Sequence, residues 1–255
     1  MSVEAITLYR APTTVCDVEE IASWLRERLT ADIIVEGRFL DEVSDPEALA
    51  TTFADARVLR PFDRQTGSQM HGIIRYEERV LADPARGGGV MYDGHQVQRA
   101  LNQALSPEER SLSHLHVVFL DRVIGTWGTH DGRWHKRIAV LGQPALISVP
   151  GLWEAPAKPE EYYQQQGAAA MLSGDVPPSE VLESTLATDL LVQEDPRTTE
   201  ALKGYVLAAL HLLDTGEGFC DDPACRLTNP HRHEGVIAAQ FSDPSFCDKH
   251  AAQYG

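Results

Sequence analysis

Three cysteines and a histidine near the carboxyl end follow the spacing Cys220-x4-Cys225-x21-Cys247-x2-His250. Two short pairs joined by one loop can each wrap half of a tetrahedral ion, and the loop brings the halves together. Three thiolates and one imidazole suit zinc, which is borderline soft and has no geometric preference of its own. The spacing therefore predicts one structural zinc held by Cys220, Cys225, Cys247 and His250. Four protein donors close the coordination sphere, so such an ion orders the chain rather than activating water. His231 and His233, in NPHRHE, are alternative fourth donors from the same loop. His250 is preferred because its two-residue gap from Cys247 makes a compact pair. Cys16 stands alone in the first twenty residues and is expected to play no part. A disulfide framework is not expected in a chain of 255 residues whose start shows no secretion signal.

Other residues could carry chemistry without a metal-type spacing. His135 lies in Arg133-Trp134-His135-Lys136, after a Gly/Asp turn and ahead of a strand. Glu154, in WEAPAKP, could serve as a general base. His231 sits beside Arg232, His233 and Glu234. His135, Glu154 and His231 together define one alternative, a hydrolase with a relocated site. His130 or His135 with the 231–233 histidines would be a second metal site. His211 reads as a satisfied half-buried histidine, and His114 and His116 alternate on one strand face. Gly87–Gly89 is not followed by Lys and Ser/Thr, so it is no phosphate loop. No Gly-x-Ser-x-Gly is present.

The elements that must position these residues alternate in the first half. Residues 5–9 and 31–35 suit strands. Asp17 caps a helix with Ile21, Trp24 and Leu25 on one face. Helices are expected over 46–57, 76–83 and 95–105, with a glycine break at 87–89. Strands follow at 117–120, 123–127, 138–141 and 145–149. Prolines 150, 156 and 159 impose a stiff extended segment, and 159–171 is helical. The longest helix runs from about Asp195 to Asp214, with Pro196 in its first turn and Gly216 as its cap. Its apolar face is Leu202, Tyr205, Val206, Ala209 and Leu213. Residues 217–255 show almost no hydrophobic periodicity. The expected organisation is an α/β body over 1–216 and a zinc-binding segment over 217–255 packed on it.

Asp and Glu number 38 against 22 Lys and Arg, a formal net charge of −16, and only four of the 22 bases are lysine. Such a surface stays soluble where salt screens self-repulsion, and reads as adaptation to a salty cytoplasm. It argues against a zinc-stabilised nucleic-acid-binding module, which needs a basic patch to release counterions. No apolar run approaches 18 residues, so no membrane-spanning helix is expected and the cytoplasm is the default location.

GEGFCDDPACRL and FCDKH resemble the tail of the archaemetzincins. That metallopeptidase family carries HExxHxxGxxH on a helix, then a cysteine, x4-Cys and a second cysteine pair that closes a structural zinc site. Gly216, Cys220 and Cys225 match in register, and Cys247 after a slightly longer gap. His250 falls where the family usually has its fourth cysteine, and Leu227 where it has its methionine turn. With Gly216 as the motif glycine, the catalytic positions fall on Ala209, Leu210, Leu213 and Phe219, none of which ligates zinc or acts as a base. Starting instead from His211 puts Leu212 and Thr215 at the glutamate and second histidine. GTWGTHDGRWHKR, LISVPGLWEAPAKPEEYY, LKGYVLAALH and FCDDPACRLTNPH also resemble a set of archaeal proteins classed as metallopeptidases, over roughly residues 113–250. The resemblance implies a zincin-like α/β or α+β fold, a mixed sheet with flanking helices and a zinc-clasped end. The function it implies is that of a metallopeptidase relative without the standard active site, a pseudoenzyme that binds peptide or protein in the old substrate cleft.

Overall fold

In the computed structural model, which describes residues 3–11, 13–186 and 188–255, the apolar runs near the amino end become adjacent parallel strands. β1 (Ala5–Tyr9) leads through α1 (Val18–Arg26) to β2 (Asp32–Glu36), which pairs alongside it. The Asp17 carboxylate accepts from the amides of Glu19 and Glu20 and caps α1 as expected. The chain then runs through α2 (Pro46–Ala56), α3 (His71–Ala82), β3 (Met91–Asp93) and α4 (Gly94–Ala104). β4 (His114–Leu120) pairs with the other side of β1. β5 (Val123–Gly128) and β6 (Arg133–Arg137) form a hairpin that completes a small sheet in the order β3-β5-β6. β7 (Ala139–Val140) and β8 (Ala145–Ser148) finish the main sheet, β2-β1-β4-β8-β7, parallel except at the β7 edge.

Period-two alternation divides the side chains between two cores. Ile6, Leu8, Leu115, Val117, Phe119, Ala145 and Ile147 lie on the face covered by α1 and the long carboxyl-half helix over Thr198–Thr215. Tyr9, Val118, Leu120 and Leu146 face α2 and α4, where Leu49, Phe53, Val97 and Leu101 meet them. Crossovers therefore leave the sheet on opposite faces on the two sides of the β1–β4 pair.

After β8 come α5 (Gly151–Glu154), α6 (Glu160–Ser173), α7 (Ser179–Thr185) and α8 (Thr198–Thr215). α8 lies under the first core and ends at Gly216, whose φ of 76° is the left-handed cap expected of it. Two short helices, α9 (His233–Phe241) and α10 (Asp248–Tyr254), follow. Cys225, Leu227, Val236, Phe246 and Tyr254 join the same apolar cluster as α8.

Several expectations need correction. Arg133–Arg137 is itself a strand rather than a loop before one, because Trp134 pairs with Trp127 and buries its ring while the flanking polar residues stay at the surface. α3 starts at His71, α7 and β3 are additional, and α5 interrupts the proline-rich segment. Pro196 precedes α8 rather than entering it, in a turn where the Thr198 amide donates to the Asp195 carbonyl. α8 is not one-sided: Ala201–His211 is buried throughout, since the sheet, α1 and the carboxyl-terminal segment enclose it. The last 39 residues hold two helices without a clear apolar stripe. No helix among the described residues is long and apolar enough to cross a membrane.

Candidate functional site

Cys220 and Cys225 sit on a tight knuckle after the α8 cap. The Cys220 amide donates to the Leu227 carbonyl at 2.9 Å, the Cys225 amide to the Asp222 carbonyl at 3.1 Å, and the Asp222 amide to Cys220 Sγ at 3.4 Å. Cys247 is the residue before α10, and the His250 amide donates back to its carbonyl at 3.0 Å. That first turn sets His250 beside Cys247, so the two-residue gap works through helix geometry.

The four donor atoms all lie within 4.8 Å of one another. Cys220 Sγ is 3.9 Å from Cys247 Sγ, and His250 Nδ1 is 3.2 Å from Cys247 Sγ and 3.4 Å from Cys225 Sγ. Bonds of about 2.3 Å to sulfur and about 2.0 Å to nitrogen, set tetrahedrally, imply separations of about 3.8 and 3.5 Å. The donor set and its spacing fit zinc. Burial pushes the Cys220 thiol up to about 12, so this sulfur keeps its proton until a cation displaces it. His211, on α8, packs edge-on against the His250 ring at 4.8 Å, and its Nδ1 lies 3.1 Å from the Tyr254 hydroxyl. Cys16 is elsewhere, half-buried against the first core.

The alternative fourth donors lie apart. His233 is buried with Nε2 donating to the Trp153 carbonyl at 3.2 Å, and His231 is exposed beside Lys136, Arg137 and Pro230. The proposed relocated trio is not gathered into one cluster. His135 Nε2 meets Asp131 Oδ1 at 3.0 Å on the β5–β6 hairpin, with His130 close by. Glu154 instead pairs with Lys136 at 2.6 Å. Among the described residues, Glu154 and His231 belong to no metal-type group. At the positions matching the zincin motif, Ala209 and Leu210 are buried and Leu213 and Phe219 pack on the same cluster.

Sequence reasoning missed a second feature. Glu77 is fully buried, accepting from Arg122 Nη1 at 2.7 Å, from the Tyr92 hydroxyl at 3.0 and 3.1 Å, and pairing with Arg57 at 3.3 Å. Arg122 and Tyr92 line a cavity of about 420 Å³ at the carboxyl ends of β1, β4 and β8. A neighbouring cavity of about 360 Å³ shares Trp153, Glu154 and Gln193 with it. The only sequence signal was the Asp-Arg that ends the apolar run of β4.

A family model described as Family of unknown function (DUF7001) matches residues 7–253. No curated protein matches the chain. Two solved structures are similar along its length. A zinc-dependent peptidase from Methanocorpusculum labreanum (strain Z) is 14% identical, with a TM-score of 0.44, covering 98% of this chain and 99% of that one. Archaemetzincin from Methanopyrus kandleri is 12% identical, with a TM-score of 0.43, covering 97% of this chain and 91% of that one.

Proposed function

The chain belongs to the DUF7001 family, and we propose that this member is a zinc-stabilised, archaemetzincin-like protein of the cytoplasm that binds a peptide or protein segment without hydrolysing it. The observation that carries the reading is the state of α8. A peptidase zinc needs two imidazoles one turn apart, a nearby base and an open coordination position. Ala209 and Leu210 put carbon at those places within the apolar core, and Leu213 packs against its edge.

Cys220, Cys225, Cys247 and His250 would hold one ion with all four tetrahedral positions filled by protein. When bound there, zinc supplies a cross-link between the knuckle after α8 and the start of α10. The thiolates need a reducing compartment to stay available, which supports the cytoplasm. The two cavities that share Trp153 and Glu154 supply the binding surface, each within the size range of ligand pockets.

The test joins metal analysis to a broad peptide library. Purified protein should carry one zinc per chain, retain library peptides and leave them uncleaved. Turnover that disappears in His135→Ala, Glu154→Gln or His231→Ala would overturn the reading in favour of a relocated hydrolytic site.

A further inference from the structure

We propose that the cavity at the carboxyl ends of β1, β4 and β8 binds a small zwitterion, with Arg122 taking its oxyanion group and Asp121 and Glu194 its ammonium. The proposal rests on the reading of this cleft as a binding surface, and adds what it recognises.

The position comes from topology. In an open parallel sheet a crevice forms outside the carboxyl ends of the strands, where successive crossovers leave on opposite faces. Here that point lies between β1 and β4. The chain leaves β1 through α1 on one face and reaches β4 from α2–α4 on the other. The segments after these strands line one cavity: Thr13 and Thr14 after β1, Asp121 and Arg122 after β4, Trp153 after β8. Gly87–Gly89 forms a further wall.

Arg122 supplies the first half of the recognition. It is 5% exposed, and its Nη1 donates to Glu77. Its Nε and Nη2 have no partner among the described residues. Those two N–H groups share one edge of the guanidinium, have almost no exposed surface, and would match two oxygens of a carboxylate or phosphate once the side chain turns toward the cavity it lines. Leaving buried donors unpaired is costly, and an oxyanion would relieve that cost. Arg57 also pairs with Glu77, so two guanidinium groups share one carboxylate and the cluster keeps a positive charge.

The other walls supply the second half. Among the described residues, Arg122 is the one cationic side chain lining the cavity, against Asp121, Glu154 and Glu194. Lys136 neutralises Glu154 at 2.6 Å. Asp121 accepts from the Thr13 hydroxyl at 3.2 Å. Glu194 is held at a φ of 60°, a left-handed conformation that costs energy in a residue other than glycine and is often kept at ligand sites. A simple anion would meet these carboxylates, and a simple cation would leave the Arg122 edge unpaired. A molecule with both charges satisfies both walls. A free amino acid, the end of a short peptide, and a phosphorylated amine all share that chemistry.

The experiment is calorimetry on the full-length, zinc-loaded protein. The probes are free amino acids and dipeptides, their N-acetyl and C-amide forms, and phosphoethanolamine. Zwitterions should bind, and blocking either end should weaken binding about tenfold or more. A preference for phosphoethanolamine would identify phosphate as the oxyanion source, and a preference for amino acids would identify carboxylate. Arg122→Lys keeps a charge beside Glu77 but loses the paired edge, and should weaken zwitterions about tenfold. Asp121→Asn, at the cavity rim, should weaken free-amine ligands and leave N-acetyl ligands unchanged, even if the Arg122 variant fails to fold. No binding by any zwitterion, equal binding of blocked and free forms, or wild-type affinity in Asp121→Asn would overturn the proposal. Library peptides retained but insensitive to Asp121→Asn would sink this site alone. Zwitterion binding without retention of longer peptides would sink the peptide reading alone.

Discussion

Replacing Cys225 with serine tests the zinc assignment most directly. Cys225 is fully buried, and its sulfur lies 3.4 Å from His250 Nδ1. Serine keeps the size of the side chain while removing a thiolate, so the packing change is small and the metal change is large. Zinc at a thousand times its dissociation constant stabilises the folded state by about 4 kcal/mol. For a chain of this length each kcal/mol moves Tm by about 2–4 °C. Cys225→Ser should therefore lower Tm by about 8–16 °C relative to the zinc-loaded protein. A strong chelator should lower the unsubstituted protein by a similar amount and leave the variant nearly unmoved. The assay is thermal unfolding with and without chelator, beside metal content by mass spectrometry. A variant that keeps one zinc per chain, or that loses as much Tm to chelator as the parent, would refute the four-donor argument.

Cys16→Ser should leave zinc content unchanged, because Cys16 packs against the first core away from the cluster; loss of metal in that variant would contradict the assignment. Gly204→Ala should destabilise by about 1–3 kcal/mol in denaturant unfolding, since a Cβ there would stand 2.7 Å from the Arg226 carbonyl and also strike the Gln240 amide. Stability should also fall between about pH 6.5 and 4. Burial holds His116 and His233 down at about 4 in the folded chain, so in that window the unfolded chain binds protons that the folded chain refuses. Each contributes about 3 kcal/mol that is present above pH 6.5 and gone below pH 4, and His116→Gln should flatten part of the slope in urea titrations at stepped pH.

What could be read in advance follows from how far apart the determinants lie in the chain. The strands at 5–9 and 32–36, the Asp17 cap and the Gly216 cap each depend on a few neighbouring residues, and each forms near its expected place. The cysteine and histidine pairs are also local, since the knuckle after α8 and the first turn of α10 each present two donors. β6 hides from the same reading because one buried tryptophan among Arg, His and Lys carries too little apolar signal for a strand, and its pairing with β5 supplies the rest. α8 shows a stripe in sequence yet is enclosed on all sides, because the segment that covers its remaining face lies beyond it in the chain. Arg122 is the extreme case. Its neighbours Glu77 and Tyr92 are 45 and 30 residues away in sequence. The opening beside it exists because one crossover leaves the sheet on each face. A group whose role comes from topology leaves almost no mark in the residues around it. A reading confined to motif spacing finds the zinc clasp and passes over the cavity.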